Sequence, residues 1–222
     1  MIPGGYFTIN IIDAIQRVYL SRDNGMYMLN PKRWRHFIAA SWTDVVLHGS
    51  YGTEMLYQSN YFVGPHILYE LRHCRMFPAP VNLDGSWSCY FWDFLNKEII
   101  VLDPQMQLCK GKDIHKRHGG VVKLLHKALF LVINRLFPEW DISSEKWKRV
   151  YRNDVSPRCQ WGESGLYSVH YAYTFNGLDL TESLDMGYHN NRRAKLIWML
   201  LAMWGNSGIV PPEFGQLMYP SA

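Results

Sequence analysis

Apolar residues recur at helical spacing at Ile11, Ile12, Ile15, Val18 and Tyr19, and the run Ser21, Asp23, Asn24 and Gly25 that follows predicts a turn. Pro31 suits the first turn of a second helix running through Trp34, Phe37 and Ile38. The period then changes. Between Met76 and Leu102 the chain shows three short apolar runs, MFPAPVNL, SCYFWDF and EIIVL, with Leu95, Asn96 and Lys97 as a tight connection between the last two. This predicts a strand followed by a β-hairpin. Gly119 and Gly120 read as a break, after which Val121, Val122, Leu125, Leu129, Val132 and Leu136 share one helical face up to Pro138. Lys148 to Arg152 (KRVYR) reads as another strand, Ser164 to Phe175 as a helix stopped by Asn176 and Gly177, and Asn191 to Trp204 as a last helix stopped by Gly205. The order α, α, β, β, β, α, β, α, α is that of an α+β fold. With no internal repeat, the expected organisation is one domain: an N-terminal helical part (1–75), a core (76–206) and a C-terminal tail (207–222).

Composition narrows the function classes. Of 222 residues, 48% are hydrophobic and 15% aromatic, which is enough to bury a core and excludes general disorder. The 23 basic and 19 acidic residues leave +4, so net charge gives nucleic-acid binding no support. Cys74, Cys89, Cys109 and Cys159 form no close pair, which points to a reducing compartment and away from a zinc site. Leu196 to Trp204 is about half of the roughly twenty apolar residues a membrane span needs. The start, MIPGGYFTINIID, lacks a basic segment ahead of an apolar one, so an intracellular setting, nuclear or cytoplasmic, is expected.

The block PVNLDGSWSCYFWDFLNKEIIVLDP, Pro80 to Pro104, resembles the central block of the ubiquitin-like-protein-specific cysteine proteases, the SUMO protease family. In that family a strand ends in a His-Trp pair, a hairpin runs out and back, and an Asp stands at the end of the return strand. Trp87 and Asp103 occupy the last two places. Further on, the family has a Gln and then Asp-Cys-Gly at the head of a buried helix; here Gln160, Trp161, Gly162, Glu163, Ser164 and Gly165 precede LYSVHYAYTFNG. WRHF, at Trp34 to Phe37, resembles divergent plant members. The resemblance implies a papain-like cysteine protease fold of the SUMO protease type, a central mixed sheet flanked by helices. It implies a thiolate at a helix N-terminus, a His that takes its proton, an acid that orients the His and a Gln for the oxyanion. It also implies a ubiquitin-like modifier such as SUMO as partner, with Trp87 and Gly165 at the channel for its Gly-Gly tail, and no cofactor or metal.

Two positions depart from that pattern. Ser164 stands at the nucleophile position, and no histidine precedes Trp87, whether Ser86 replaces it or one residue is lost between Ser86 and Trp87. A serine hydroxyl without an imidazole is a far weaker nucleophile than a thiolate, so the domain is expected to be silent as a peptidase while able to bind a modifier. The spacing from Gln160 to Ser164 is also shorter than usual. Two alternatives stay open: a working peptidase, including a Ser-Lys arrangement, and an interaction module using the basic run Lys110, Lys112, His115, Lys116, Arg117 and His118.

Elsewhere the plainer readings are preferred. His115, His118 and Cys109 lack a fourth ligand for a metal, and Lys110 to His118 reads as a solvated loop. His170 lies too far into its helix to serve Ser164, and Cys89 and Cys159 read as inert thiols. Arg192, Arg193 and Lys195 at a helix start call for a partner or an internal carboxylate. Trp92, Trp198 and Trp204 read as core.

Overall fold

In the computed structural model, which describes residues 6–27, 34–49, 59–105, 111–152, 159, 161–184 and 189–203, the three central apolar runs form an antiparallel meander. Its strands are β1 (Met76–Leu83), β2 (Ser86–Asp93) and β3 (Glu98–Leu102). Asp84 and Gly85, with φ of 51° and 82°, make the first turn. Two left-handed residues are what a two-residue hairpin needs to match the right-handed twist of its strands. β4 (Lys148–Arg152) pairs with β3 in parallel, giving a mixed sheet in the order β1-β2-β3-β4. A parallel neighbour requires a crossover, and α3 (Gly111–Leu136) provides it.

The period of two along each strand divides the apolar side chains between two cores. Trp87, Cys89, Phe91, Ile100 and Leu102 share one core with residues of α1 (Ile9–Met26), α4 (Ser164–Thr174) and α5 (His189–Leu201). Phe77, Tyr90, Trp92 and Val101 share the other with α2 (Ala40–His48) and α3. Every residue of β2 is buried, so this strand is the spine that positions whatever stands at its ends. The predicted α+β order and the helix-flanked mixed sheet are both present.

Four local expectations are corrected. The turn at Ser21 to Gly25 is helical, and α1 runs to Met26. Asp23 is buried there because Arg35 holds it at 2.9 Å, which keeps this polar segment against the protein. Trp34 to Ile38 is extended and not helical; Pro31 lies outside the described residues. His36 and Ile38 donate N–H groups to the Met76 and Pro78 carbonyls at 2.9 Å, and Phe37 and Ile38 enter opposite cores. The segment alternates like a strand because it lies along β1, and α2 begins only at Ala40, whose N–H is accepted by Asp13.

The third correction matters most for the site. Gly119 and Gly120 do not break the chain: they lie inside α3, so the expected solvated loop at Lys110 to His118 is helical from Gly111 onward. Each glycine costs a helix about 1 kcal/mol relative to alanine, and burial of Ile114 and His118 on the core side outweighs it. Lastly, Trp198 is not core but 53% exposed. Trp92 is fully buried as expected, and Trp204 and Gly205 lie outside the described residues.

Candidate functional site

α4 starts at Ser164, directly after the 3-10 turn Trp161–Glu163, so the Ser164 side chain stands where a helix presents unsatisfied N–H groups and a partial positive charge. It is 1% exposed. Its Oγ accepts the backbone N–H of Trp87, the second residue of β2, at 3.0 Å. The Trp87 indole in turn donates to the Phe7 carbonyl at 2.9 Å. Gly165 lies against the same phenylalanine: a Cβ there would stand 2.5 Å from Phe7 Cβ. The Arg193 guanidinium lies 5.1 Å over the Phe7 ring, so Phe7, two residues before α1, is held between α5 and the head of α4. Ser164, Gly165 and Trp87 are thus brought together, and Phe7, which carries no sequence signal of its own, joins them.

Ser86 and Asp103 meet through a residue the sequence reading did not single out. The Ser86 hydroxyl donates to Gln105 Oε1 at 3.0 Å, and the Gln105 N–H donates to Asp103 Oδ1 at 2.8 Å. All three are buried. The other Asp103 oxygen, Oδ2, is 3.0 Å from His118 Nε2 and 3.4 Å from Arg117 Nε. An ionised carboxylate only accepts, so Nε2 carries the proton and donates. His118 Nδ1 meets the Tyr90 hydroxyl at 2.6 Å, so both ring nitrogens are engaged. Burial, reinforced by Asp103, pushes the Tyr90 phenol well above its usual range.

The remaining candidates fall into place by burial. His170 is buried and bonds the Glu182 carbonyl at 2.8 Å, as a packed histidine does. Burial, with Glu163 and Asp103 adding to it, pushes the Cys159 thiol up to about 12, and burial raises Cys89 as well. Neither supplies thiolate at neutral pH. Arg192 finds its internal carboxylate in Glu182 at 2.9 Å. The basic run loses His118 to the core and Arg117 to Asp103, while Lys110 and Cys109 lie outside the described residues. Gln160 lies outside them too. No group of His, Cys, Asp and Glu among the described residues is arranged to hold a metal ion, and no described helix is long and apolar enough to cross a membrane.

No protein-family model matches the sequence, and no curated protein matches it. Solved structures do match its backbone. The SUMO protease Ulp1 with its catalytic cysteine oxidised to a sulfonic acid superposes with a TM-score of 0.62 at 12% identity, over 88% of this chain and 78% of that one. The fold is that of the SUMO proteases. The Ulp1 protease domain in complex with Smt3, the yeast ortholog of SUMO, gives 0.59 at 13% identity over 90% and 77% of the two chains. The Ulp1-like SUMO protease catalytic domain of Chaetomium thermophilum gives 0.55 at 14% over 87% and 72%.

The head of the buried helix α4 and the start of β2 meet, and Asp103 follows β3 directly. Asp103 is engaged by a histidine of α3, on the other side of the sheet from Ser164. His118 was legible in principle: it precedes Val122 and Leu125 at helical spacing, and only the assumed break at Gly119 hid that.

Proposed function

We propose that the chain is a SUMO-protease-type domain that has lost peptidase activity and binds a ubiquitin-like modifier. The observation that carries the first half is the hydrogen bonding around Asp103. Its carboxylate accepts hydrogen bonds from His118 and the Gln105 N–H and forms an ion pair with Arg117, and the place before Trp87 belongs to Ser86, which is bonded to Gln105. A serine hydroxyl near neutral pH needs a base to become a nucleophile, and the His118 nitrogens are already occupied by Asp103 and Tyr90. Loss of base and thiolate together lowers hydrolysis by several orders of magnitude.

The binding half draws on the solved complex of the Ulp1 domain with Smt3 and on the meeting of Trp87 and Gly165 beneath Phe7. The modifier tail would enter there by displacing the Phe7 side chain, and the modifier body would add contacts that do not depend on chemistry. Such a partner puts the domain inside the cell, in the nucleus or the cytoplasm.

The test is a calorimetric titration with several mature modifiers, each with and without its Gly-Gly tail, beside a precursor-cleavage assay. Tail-dependent binding in the micromolar range with no cleavage is expected. Cleavage that Ser164→Ala abolishes overturns the silent reading, and absence of tail-dependent binding overturns the modifier reading. The pair Ser86→His and Ser164→Cys, combined with Gln105→Ala to clear the Ser86 partner, is expected to recover part of the hydrolysis.

A further inference from the structure

We propose that the cavity at the carboxyl end of α3 binds a methylated ammonium group. It lies beyond the far end of β2 from Trp87, roughly 20 Å away for a strand of this length, and is independent of the function proposed above. The cavity measures about 480 Å³, within the range of small-ligand sites, and Phe62, Tyr69, Phe137 and Trp140 line it. The Phe137 and Trp140 rings stand 6.4 Å apart at 79°, the geometry of a corner with two aromatic walls. Trp140 is fixed from behind by Phe94 at 5.0 Å and Phe77 at 6.1 Å, so this wall is in place before any ligand arrives.

Charge selects the ligand. Arg72 and Glu70 both line the cavity and neutralise each other as an ion pair at 2.5 Å. Glu139 also lines it and pairs with no cation among the described residues, which leaves the lining negative in a chain of net charge +4. The cavity also borders Leu136 and Phe137, where the 26-residue α3 ends; a helix carries its partial negative charge at that end, and Arg135 in the last turn answers part of it. Aromatic faces and the Glu139 carboxylate attract a cation. A primary ammonium holds its water strongly, whereas a methylated one sheds it readily and matches the apolar walls. The ligand class is therefore a methylated ammonium, carried by a small molecule or by a lysine side chain.

The experiment is calorimetry on the whole chain with tetramethylammonium, choline, a trimethyl-lysine peptide, the same peptide unmethylated, and 3,3-dimethylbutanol, the neutral isostere of choline. Methylated ammonium ligands are expected to bind at least tenfold tighter than the unmethylated peptide and the isostere. Glu139→Lys, at an exposed position, is expected to weaken them fivefold or more without moving the unfolding midpoint, and Phe137→Leu to weaken them as well. Tighter binding of the peptide than of choline assigns a protein ligand, and the reverse a free one. No binding, equal binding of the isostere, or an unchanged affinity in Glu139→Lys overturns the proposal.

Discussion

Gly165→Ala probes the contact on which the candidate site closes. The new Cβ would stand 2.5 Å from Phe7 Cβ, 2.7 Å from Cγ and 3.0 Å from Cδ2. Carbon atoms in contact normally lie about 3.5–4.0 Å apart, so the overlap is about an ångström. Because the nearest atom is Cβ, rotating the ring does not relieve it, and the segment before α1 must shift. Overpacking of this kind costs about 1–3 kcal/mol, and alanine returns at most about 1 kcal/mol as a better helix former than glycine. If Phe7 leaves altogether, burial of its side chain, about 2 kcal/mol, and the bond from the Trp87 indole are lost together. At mid-range the first route gives a net loss of about 1–2 kcal/mol and the second about 2–3 kcal/mol. Urea denaturation measures it, and iodide quenching of tryptophan emission reports whether Trp87, now 2% exposed, becomes accessible. Repeating the substitution in a Phe7→Gly background, which removes the clashing Cβ, is expected to make it neutral or slightly stabilising. A wild-type stability for Gly165→Ala, or the same loss in both backgrounds, refutes the contact.

Four further outcomes are expected. Ser164→Ala removes the acceptor of a buried N–H and should lower stability by about 1–3 kcal/mol in denaturant. Asp103→Ala leaves His118 and the Gln105 N–H without their acceptor; a loss of about 3 kcal/mol or more is expected by thermal or urea unfolding, and a surface-like change below 0.5 kcal/mol contradicts the network. Gly120→Ala points into open space within α3, so it should raise the unfolding midpoint by the equivalent of about 0.5–1 kcal/mol, and a destabilised variant refutes the uninterrupted helix. Burial lowers the His36 imidazole from 6.5 to about 3. The unfolded chain then binds a proton that the folded chain refuses, so stability falls as pH drops from 6.5 towards 3, by about 1.4 kcal/mol per unit. His36→Leu should flatten that part of a urea-midpoint profile between pH 7 and 5, and parallel profiles contradict it.

Elements whose signal is local were readable in order along the chain. The three central strands were legible because the short apolar runs MFPAPVNL, SCYFWDF and EIIVL, the last two joined by the tight connection Leu95 to Lys97, need no distant partner to be seen. Trp87, Asp103, Ser164 and Gly165 were legible as a motif, and the backbone likeness to the SUMO proteases confirms the fold that motif implied. Tertiary structure decided where local preference and burial disagreed. Gly119 and Gly120 favour a break, yet α3 passes through them because the turns on either side bury Ile114, His118 and Val122. Trp34 to Ile38 has a helical spacing of apolar residues, yet it lies extended because the β1 carbonyls at Met76 and Pro78 need N–H partners. The partners of Asp103 follow from the same competition. A buried carboxylate takes the donors its surroundings bring, and those come from α3 and Gln105, so the acid assigned from the motif is occupied by residues the motif does not contain. Sequence by itself determined that serines stand at 86 and 164 in the motif; only the fold decided what those side chains bond to, because hydrogen-bond partners of buried groups are set by packing across elements far apart in the chain.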